Sequence, residues 1–547
     1  MKSQNNLKLM SLRVSLAGLF ILLTTSFLYA RQSSANSFNV IDFGAIGDGV
    51  TRNTSAIQAA VDRCGISGGV VIVPPGRYLT GSIELKSNVE LQVQTGAIIL
   101  GSPNIVDYFE RIPKLKSYTD SFLRHSLFYA EGQSNIAITG GGIIDGQGAN
   151  FQVVTKEKPA RYKNRPYIIR FIECTDVTVK DVTLRNSASW MQHYLACERL
   201  TIRGIKVTNH ANQNNDMMDI DGCRDVVISD CIGDTDDDGI TLKSTSERVT
   251  ENVTISNCII SSHCNAIKAG TESTGGFKNI VINNMVVKPS SFSTVKFGLP
   301  AGISGISLEV VDGGSMEGVS ISNVVIDGPA VPIFIRLGNR GRKHWEGASQ
   351  PGVGSLKSVS LSHISAFNAG STGCSITGID GHRVEGISLD DIHIEFAGGI
   401  EKQPKMEVDE LADQYPEATM WGTLPSYGFF IKHVNGVRLH GLTLGLKSED
   451  VRPALVFSDV SDARVESLDA LIAERAVGVM VLQKVNGLMT ASSLVRGKAE
   501  TLYLLAGDGN SRLSAMGNDL RGLRSICKPE VIPGPVVFSS GNQLGER

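Results

Sequence analysis

Short runs in which apolar and polar residues alternate recur through most of the chain. "DVTVKDVTLRN" begins at Asp176, "RLTIRGIKVTN" at Arg199, "DVVISDCIGDT" at Asp225, "NVTISNCIISS" at Asn252 and "NIVINNMVVKP" at Asn279. Later copies are "GVSISNVVIDG" from Gly318, "SVSLSHISAFN" from Ser358, "GISLDDIHIEF" from Gly386 and "GVRLHGLTLGL" from Gly436. Each predicts a short strand, a two-residue polar corner and a second short strand. The first five start 23 to 27 residues apart. A unit of that size cannot bury its own apolar face, so copies must stack. Val and Ile dominate, and the leucine consensus and helical turns of leucine-rich repeats are missing. The expected fold is therefore all-β: a right-handed parallel β-helix with one continuous core and flat outer ladders.

The ends are read from the same alternation. "FNVIDFGAIGDGVTRNTSAIQAAVDRC", Phe38 to Cys64, predicts a strand, a Gly-rich turn and an amphipathic capping helix. Asn53 or Ser55 can cap that helix, with Ile57, Ala60 and Val61 facing inward. Coils begin near Gly68 and weaken after about residue 470, which places the β-helix at 36–530 and a C-terminal tail at 531–547. Lys2, Lys8 and Arg13 precede an apolar run from Val14 to Leu28 that is short for a membrane span, so 1–30 reads as a signal peptide. Cleavage after Ala30 or Ala35 is expected. The mature chain is then secreted or periplasmic, with no membrane attachment.

Composition narrows the function classes. A formal net charge of -3 points to neither a nucleic-acid nor a membrane-surface partner. The chain has 58 Gly and 6% aromatics, which suits turn-rich β structure. Nine Cys without a C-x-x-C pair argue against zinc, and Cys174, Cys197 and Cys223 share one phase of the repeat, as buried ladder residues would. No cofactor is expected, and the chain is expected to be a monomer.

The chemistry concentrates in "GDTDDDGITLKS", Gly233 to Ser244, which holds Asp234, Asp236, Asp237 and Asp238. Like charges so close repel, and a structural strand gains nothing from them. Asp216 to Asp237 spans 21 residues and Asp238 to His263 spans 25, each near one coil. Residues one coil apart stack about 4.8 Å apart. Asp216, the Asp237–Asp238 pair and His263 should therefore share one outer face. A bulge is needed for adjacent carboxylates to face one site; Asp236–Asp237 is the other possible pair. Alternation sends Asp219, Lys243 and Lys268 outward. The lysines either grip a substrate carboxylate or balance the aspartates, and Asn214 either orients Asp216 or turns the corner. Trp190 reads as packing, and His193 lies one coil before Asp216.

These stretches carry a resemblance. "NVIDFGAIGDGVTRNTSAIQAAVD" resembles the entry segment of the pectin-degrading β-helix superfamily, and "GGGIIDGQG", Gly140 to Gly148, a turn of glycoside hydrolase family 28. "NNDMMDI", "DDGITLKS" and "SHCNAIKAG" resemble that family's three active-site segments, in order. The resemblance spans residues 38 to 340. It implies an inverting hydrolase acting on a pectin-related or other uronate-containing polysaccharide. Asp237 would be the general acid, Asp216 and Asp238 would activate water, and His263 would tune the acid or touch substrate. Asn214, Asp219, Lys243 and Lys268 become candidate substrate-binding residues, and no metal is implied. In the family a later strand carries R-I-K; here Ser307 and Glu309 stand at the Arg and Lys places. An acid at Glu309 would repel a uronate, which favours a rhamnogalacturonan or side-chain target. Arg336, Arg340 and Arg342 can compensate, and Trp421 or Tyr427 in the 401–430 insertion can stack on sugar. A polysaccharide lyase and a non-catalytic carbohydrate-binding β-helix are the competing functions.

Overall fold

The computed structural model describes residues 36–529 apart from 122, 156, 158 and 159, together with 537–545. The expected signal peptide lies outside the described residues. In the middle of the chain each coil contributes three strands, paired in parallel with the coils on either side. One wall stacks Gln192–Leu195, Met218–Asp221, Ile240–Ser244, Asn265–Ser273 and Ser304–Val310. A second stacks Thr175–Lys180, Glu198–Arg203, Arg224–Ser229 and Thr250–Ser256. The third stacks Thr183–Arg185, Lys206–Asn209, Ile232–Thr235 and Ile259–Ser262. This is a right-handed parallel β-helix, as the alternation predicts.

Period-two alternation decides what faces in. Tyr194, Ile220, Leu242, Ala269 and Leu308 are register partners on the first wall, and all are buried in the main core. Cys174, Cys197 and Cys223 are buried free thiols at the expected phase. The backbone N–H of Cys197 donates to Cys223 Sγ at 3.3 Å. The polar corners have their own logic. Asp230, Asn257, Asn284 and Asn323 all adopt φ between 55° and 60°, a left-handed conformation that Asn and Asp tolerate best after Gly. Their side chains then ladder: Asn257 donates to Asp230, Asn284 to Asn257 and Asn323 to Asn284, at 3.2–3.3 Å.

The helix Thr54–Ser67 buries Ile57, Ala60, Val61 and Cys64 and packs on the first strands. Asn53 holds its N-cap position without a side-chain capping bond. Its amide instead ties down the Gly-rich turn, accepting from Ile46 N at 2.6 Å and donating to the carbonyls of Ile46 and Thr51. At the other end, Val537–Ser540 and Gln543–Leu544 pair with the preceding coil, so ladder strands continue inside the segment assigned to a tail. No helix among the described residues is long and apolar enough to cross a membrane.

Candidate active site

The carboxylates gather at the corner that leads into the first wall. Met218, Ile240 and Ile267 are register partners on successive coils, and two residues before each stand Asp216, Asp238 and Asn265. Asp237 precedes Asp238 in a bend between Ile232–Thr235 and Ile240–Ser244. That bend replaces the expected bulge, because outside a strand neighbouring side chains need not point to opposite faces. Gly239 makes the bend possible: a Cβ there would lie 2.3 Å from the Ala266 carbonyl oxygen. Asp216, Asp237 and Asp238 open on one cavity of about 490 Å³, with Asn214, Lys243 and Trp190 also in its wall.

The three carboxylates differ in setting. Asp237 is the most exposed, while Asp216 and Asp238 are buried. Burial and the neighbouring Asp238 push Asp237 up to about 6, against the pull of Lys268 and Lys243. Asp238 belongs to a buried ion pair, with Lys268 Nζ 3.1 Å from Oδ2 and Asn265 Nδ2 donating to Oδ1 at 2.7 Å. Burial first, then Asp219 and Asp237, raise Asp216 well above the carboxylate range. Asp219 is raised too, chiefly by burial. Lys243 Nζ lies 4.0 Å from Asp216, 3.5 Å from Asp219 and 3.2 Å from Glu272. Like charges in a dry setting do not both ionise readily, so burial and mutual repulsion favour the protonated form at Asp216 and at Asp219. Burial alone would lower Lys243, but Glu272, Asp219 and Asp216 outweigh it and hold the ammonium well above its ordinary value.

The other two aspartates of the cluster do different work. Asp234 accepts from Ser290 Oγ at 2.6 Å and from Ser291 N and Oγ at 2.9 and 2.7 Å. Asp236 accepts from Lys296 N at 2.9 Å. Together they pin the 288–303 segment, which carries Phe297 and Gly298 into the cavity wall. His263 serves the same purpose. The sequence puts it beside the acid's proton, but its ring is fully buried, with Nδ1 3.0 Å from Asp236 Oδ1 and Nε2 3.1 Å from the Phe292 carbonyl. The competing Asp236–Asp237 pairing fails for the same reason: Asp236 faces the loop, not the cavity.

Other candidates are also displaced. Asp219 points outward but is covered, and among the described residues neither of its oxygens has a hydrogen-bond partner. The Lys268 side chain is 1% exposed, beneath Tyr415. Glu309 does not face a sugar: it is fully buried, accepts from Ser307 Oγ at 2.6 Å, and is raised by burial against the pull of Lys268. The expected repulsion of a uronate by Glu309 therefore does not arise at the cavity. Trp190, read as packing, lines the cavity with Lys243 Nζ 4.6 Å from its ring centre. His193 is buried 2.9 Å from Asp221.

Arg336 is a clamp on the insertion, not a substrate contact. Its Nη2 donates to the carbonyls of Glu410 and Leu411 at 2.6 and 3.3 Å, and Nη1 to the Gly378 carbonyl at 3.1 Å. Trp421 packs under the same guanidinium, and Tyr427 is core. The insertion instead sends Tyr415 and Glu417 into the cavity. Glu417 is pushed up to about 8 by burial, with Glu309 adding to it and Lys268 opposing. Arg336→Ala is expected to cost about 1–3 kcal/mol and to raise KM more than it lowers kcat, because it loosens the segment carrying those two residues. Denaturation and steady-state kinetics read both.

Several cavity residues carried no such assignment in the sequence. Glu272 is one; alternation from Lys268 sends it outward, so the strand pattern held the signal. Arg161, Tyr415 and Glu417 sit in irregular segments with no periodicity to place them. Among the lining cations, Lys243, Arg340 and Arg342 each have a carboxylate partner in Glu272 or Asp312. Arg161 has none among the described residues; its Nη2 donates to Gln213 Oε1 at 3.0 Å.

Two clusters bring three metal-type ligand atoms within 4.8 Å: His210–Asp236–His263 and Asp237–Asp238–Cys264. The first is committed to holding the 288–303 segment. In the second, Asp238 is ion-paired, and burial plus the two aspartates hold the Cys264 thiol protonated. Neither arrangement favours a cation.

The comparisons with known proteins agree with this architecture. A probable polygalacturonase of Vitis vinifera is 30% identical over 296 residues, covering 50% of this chain and 59% of that protein. An exo-poly-alpha-D-galacturonosidase of Dickeya chrysanthemi is 26% identical over 301 residues, covering 46% of this chain and 50% of that protein. The chain thus spans little more than half the length of these relatives. The solved family 28 exopolygalacturonase of Yersinia enterocolitica superposes with a TM-score of 0.61 at 21% identity, covering 78% of each chain. At that identity the likeness speaks for the fold. The model of Glycosyl hydrolases family 28 matches residues 70–412, and the chain belongs to that family.

Proposed function

We propose that this chain is an exported, inverting glycoside hydrolase of a pectin-related, uronate-containing polysaccharide. Asp237 is the general acid that protonates the leaving oxygen, and Asp216 and Asp238 hold and activate the attacking water. One observation carries this: three carboxylates of unlike setting share one cavity, and the most exposed of them has its proton held up to about 6. A working acid and a working base need such a split. In this reading Asp216 acts as a base when it is the ionised member of its pair with Asp219, Lys243 pulling against the burial that favours its proton. Asp216 Oδ1 is buried and has no hydrogen-bond partner among the described residues.

Arg161, Arg340 and Arg342 in the cavity wall support an acidic sugar as substrate. The two lysines beside the carboxylates weigh against a lyase. That chemistry needs a neutral basic side chain, whereas Lys243 and Lys268 are both held protonated by buried acids that outweigh their desolvation. A polysaccharide panel tests the reading. Reducing ends should appear, the first-formed anomer should be inverted by NMR, and no unsaturated product should absorb. kcat/KM should fall as pH rises through about 6, where Asp237 loses the proton it must donate. Unsaturated products, or a rate flat from about pH 5 to 8, would remove Asp237 from the acid role.

A further inference from the structure

A second cleft, of about 570 Å³, lies against the first, and Tyr118 and Arg342 line both. The Arg342 guanidinium sits 3.3 Å from the centre of the Tyr118 ring, forming a shared sill between the two spaces. Beyond the sill the lining is basic. Arg124 and Arg342 direct their charge to Glu110 and Glu272, at 2.7 and 2.6 Å. Lys116 and Lys343 are exposed and have no ion-pair partner among the described residues. Glu346 is the one acidic residue of the described lining. Trp345 stands 45% exposed in the same lining.

Trp345, Lys116 and Lys343 present an apolar face and, among the described residues, two unpaired charges to one cleft. A sugar ring offers an apolar face to an indole, and a uronate adds a carboxylate that a lysine can meet. A polymer whose scissile bond lies by Asp237 has to leave the catalytic cavity somewhere, and the sill leads into this basic cleft. We propose that the second cleft is a distal subsite for the anionic continuation of the same polysaccharide chain. Trp345 stacks on a sugar face, and Lys116 and Lys343 pair with uronate carboxylates. The subsite rests on the proposed function for its ligand class, though not on hydrolysis taking place.

The test is binding to uncleaved ligand. Calorimetry on the Asp237→Asn protein compares oligogalacturonates of three and six residues. Trp345→Ala and the double variant Lys116→Ala/Lys343→Ala are made in that background. Lys180→Ala removes one exposed charge from another wall as control. The affinity advantage of the hexamer over the trimer should fall roughly tenfold in both test variants, the loss of about one good contact, and not in the control. A fully methyl-esterified hexamer should be insensitive to the lysine pair and still sensitive to Trp345. The subsite is overturned if the hexamer fails to bind, if the ratio stays unchanged in both test variants, or if trimer and hexamer lose affinity equally. Hydrolysis is scored separately on wild-type protein. Absence of hydrolysis with the hexamer advantage lost in the variants would remove the hydrolase and keep the subsite.

Discussion

Asp237→Asn is expected to lower kcat by about 10²–10⁴-fold and, at neutral pH, to stabilise the fold. The substitution keeps the shape of the side chain but donates no proton to a leaving oxygen, so the chemical step loses its acid. The stability effect comes from the same placement. The folded protein holds Asp237 up to about 6, from an ordinary value of 3.8. Below about pH 4 folded and unfolded chains both carry the proton, and nothing is lost. Between about pH 4 and 6 the unfolded chain releases it first, so wild-type stability falls, and above about 6 the deficit is constant. The amide of the variant never ionises, so the variant escapes that deficit. Thermal melts at about pH 4 and pH 7, beside kinetics, check both halves. A variant that turns over normally, or that melts below wild type at neutral pH, would contradict the assignment. Trading stability for a perturbed acid is common at catalytic sites.

Lys243→Met should be the most destabilising single change at the site, by about 3–5 kcal/mol at neutral pH. The side chain is 5% exposed and lies within 4.0 Å of Asp216, Asp219 and Glu272. Methionine fills much of its volume but leaves those acids without their shared cation. Glu272 keeps Arg342 at 2.6 Å, so the loss falls mainly on Asp216 and Asp219. Without the ammonium their folded pKa values rise further. The neutral forms are then favoured in the fold, and stability is lost as pH rises. The deficit should therefore shrink on acidification. Denaturant unfolding at about pH 5 and pH 7 tests the sign, and adding Asp219→Asn should recover part of the loss. A deficit under about 1 kcal/mol, or one indifferent to pH, would mean that water already screens the cluster.

The two predictions share an origin in the aspartate cluster, which the sequence marks but does not apportion. All four aspartates stand within five positions, and charge alone cannot say which of them face a cavity. Asp237 and Asp238 do. Asp234 and Asp236 instead accept hydrogen bonds from the 288–303 segment, far downstream in the chain. The hydrogen bonds from His210, Ser290 and Ser291 overcome burial and hold Asp234 well below the usual carboxylate range, as suits an anchor. The same ambiguity misplaces His263. One-coil spacing puts it near the right corner, but its ring follows Asp236 to the loop.

Local chemistry is enough for the scaffold. Alternation sets which face each strand residue takes, and a repeat of 23 to 27 residues sets which residues stack. From these follow the β-helix, the inward columns and the meeting of Asp216 with Asp237 and Asp238. Neither signal says what covers an outward residue. That is decided by irregular segments folding back over the wall: 288–303 onto Asp234, Asp236 and His263, and the insertion onto Arg336 and Lys268. Such segments have no period to read, and their partners are distant in sequence. So the outward direction of Asp219, Lys243 and Lys268 is legible, while their burial, and the arrival of Arg161 and Glu417 at the cavity, exist only once the chain has closed on itself.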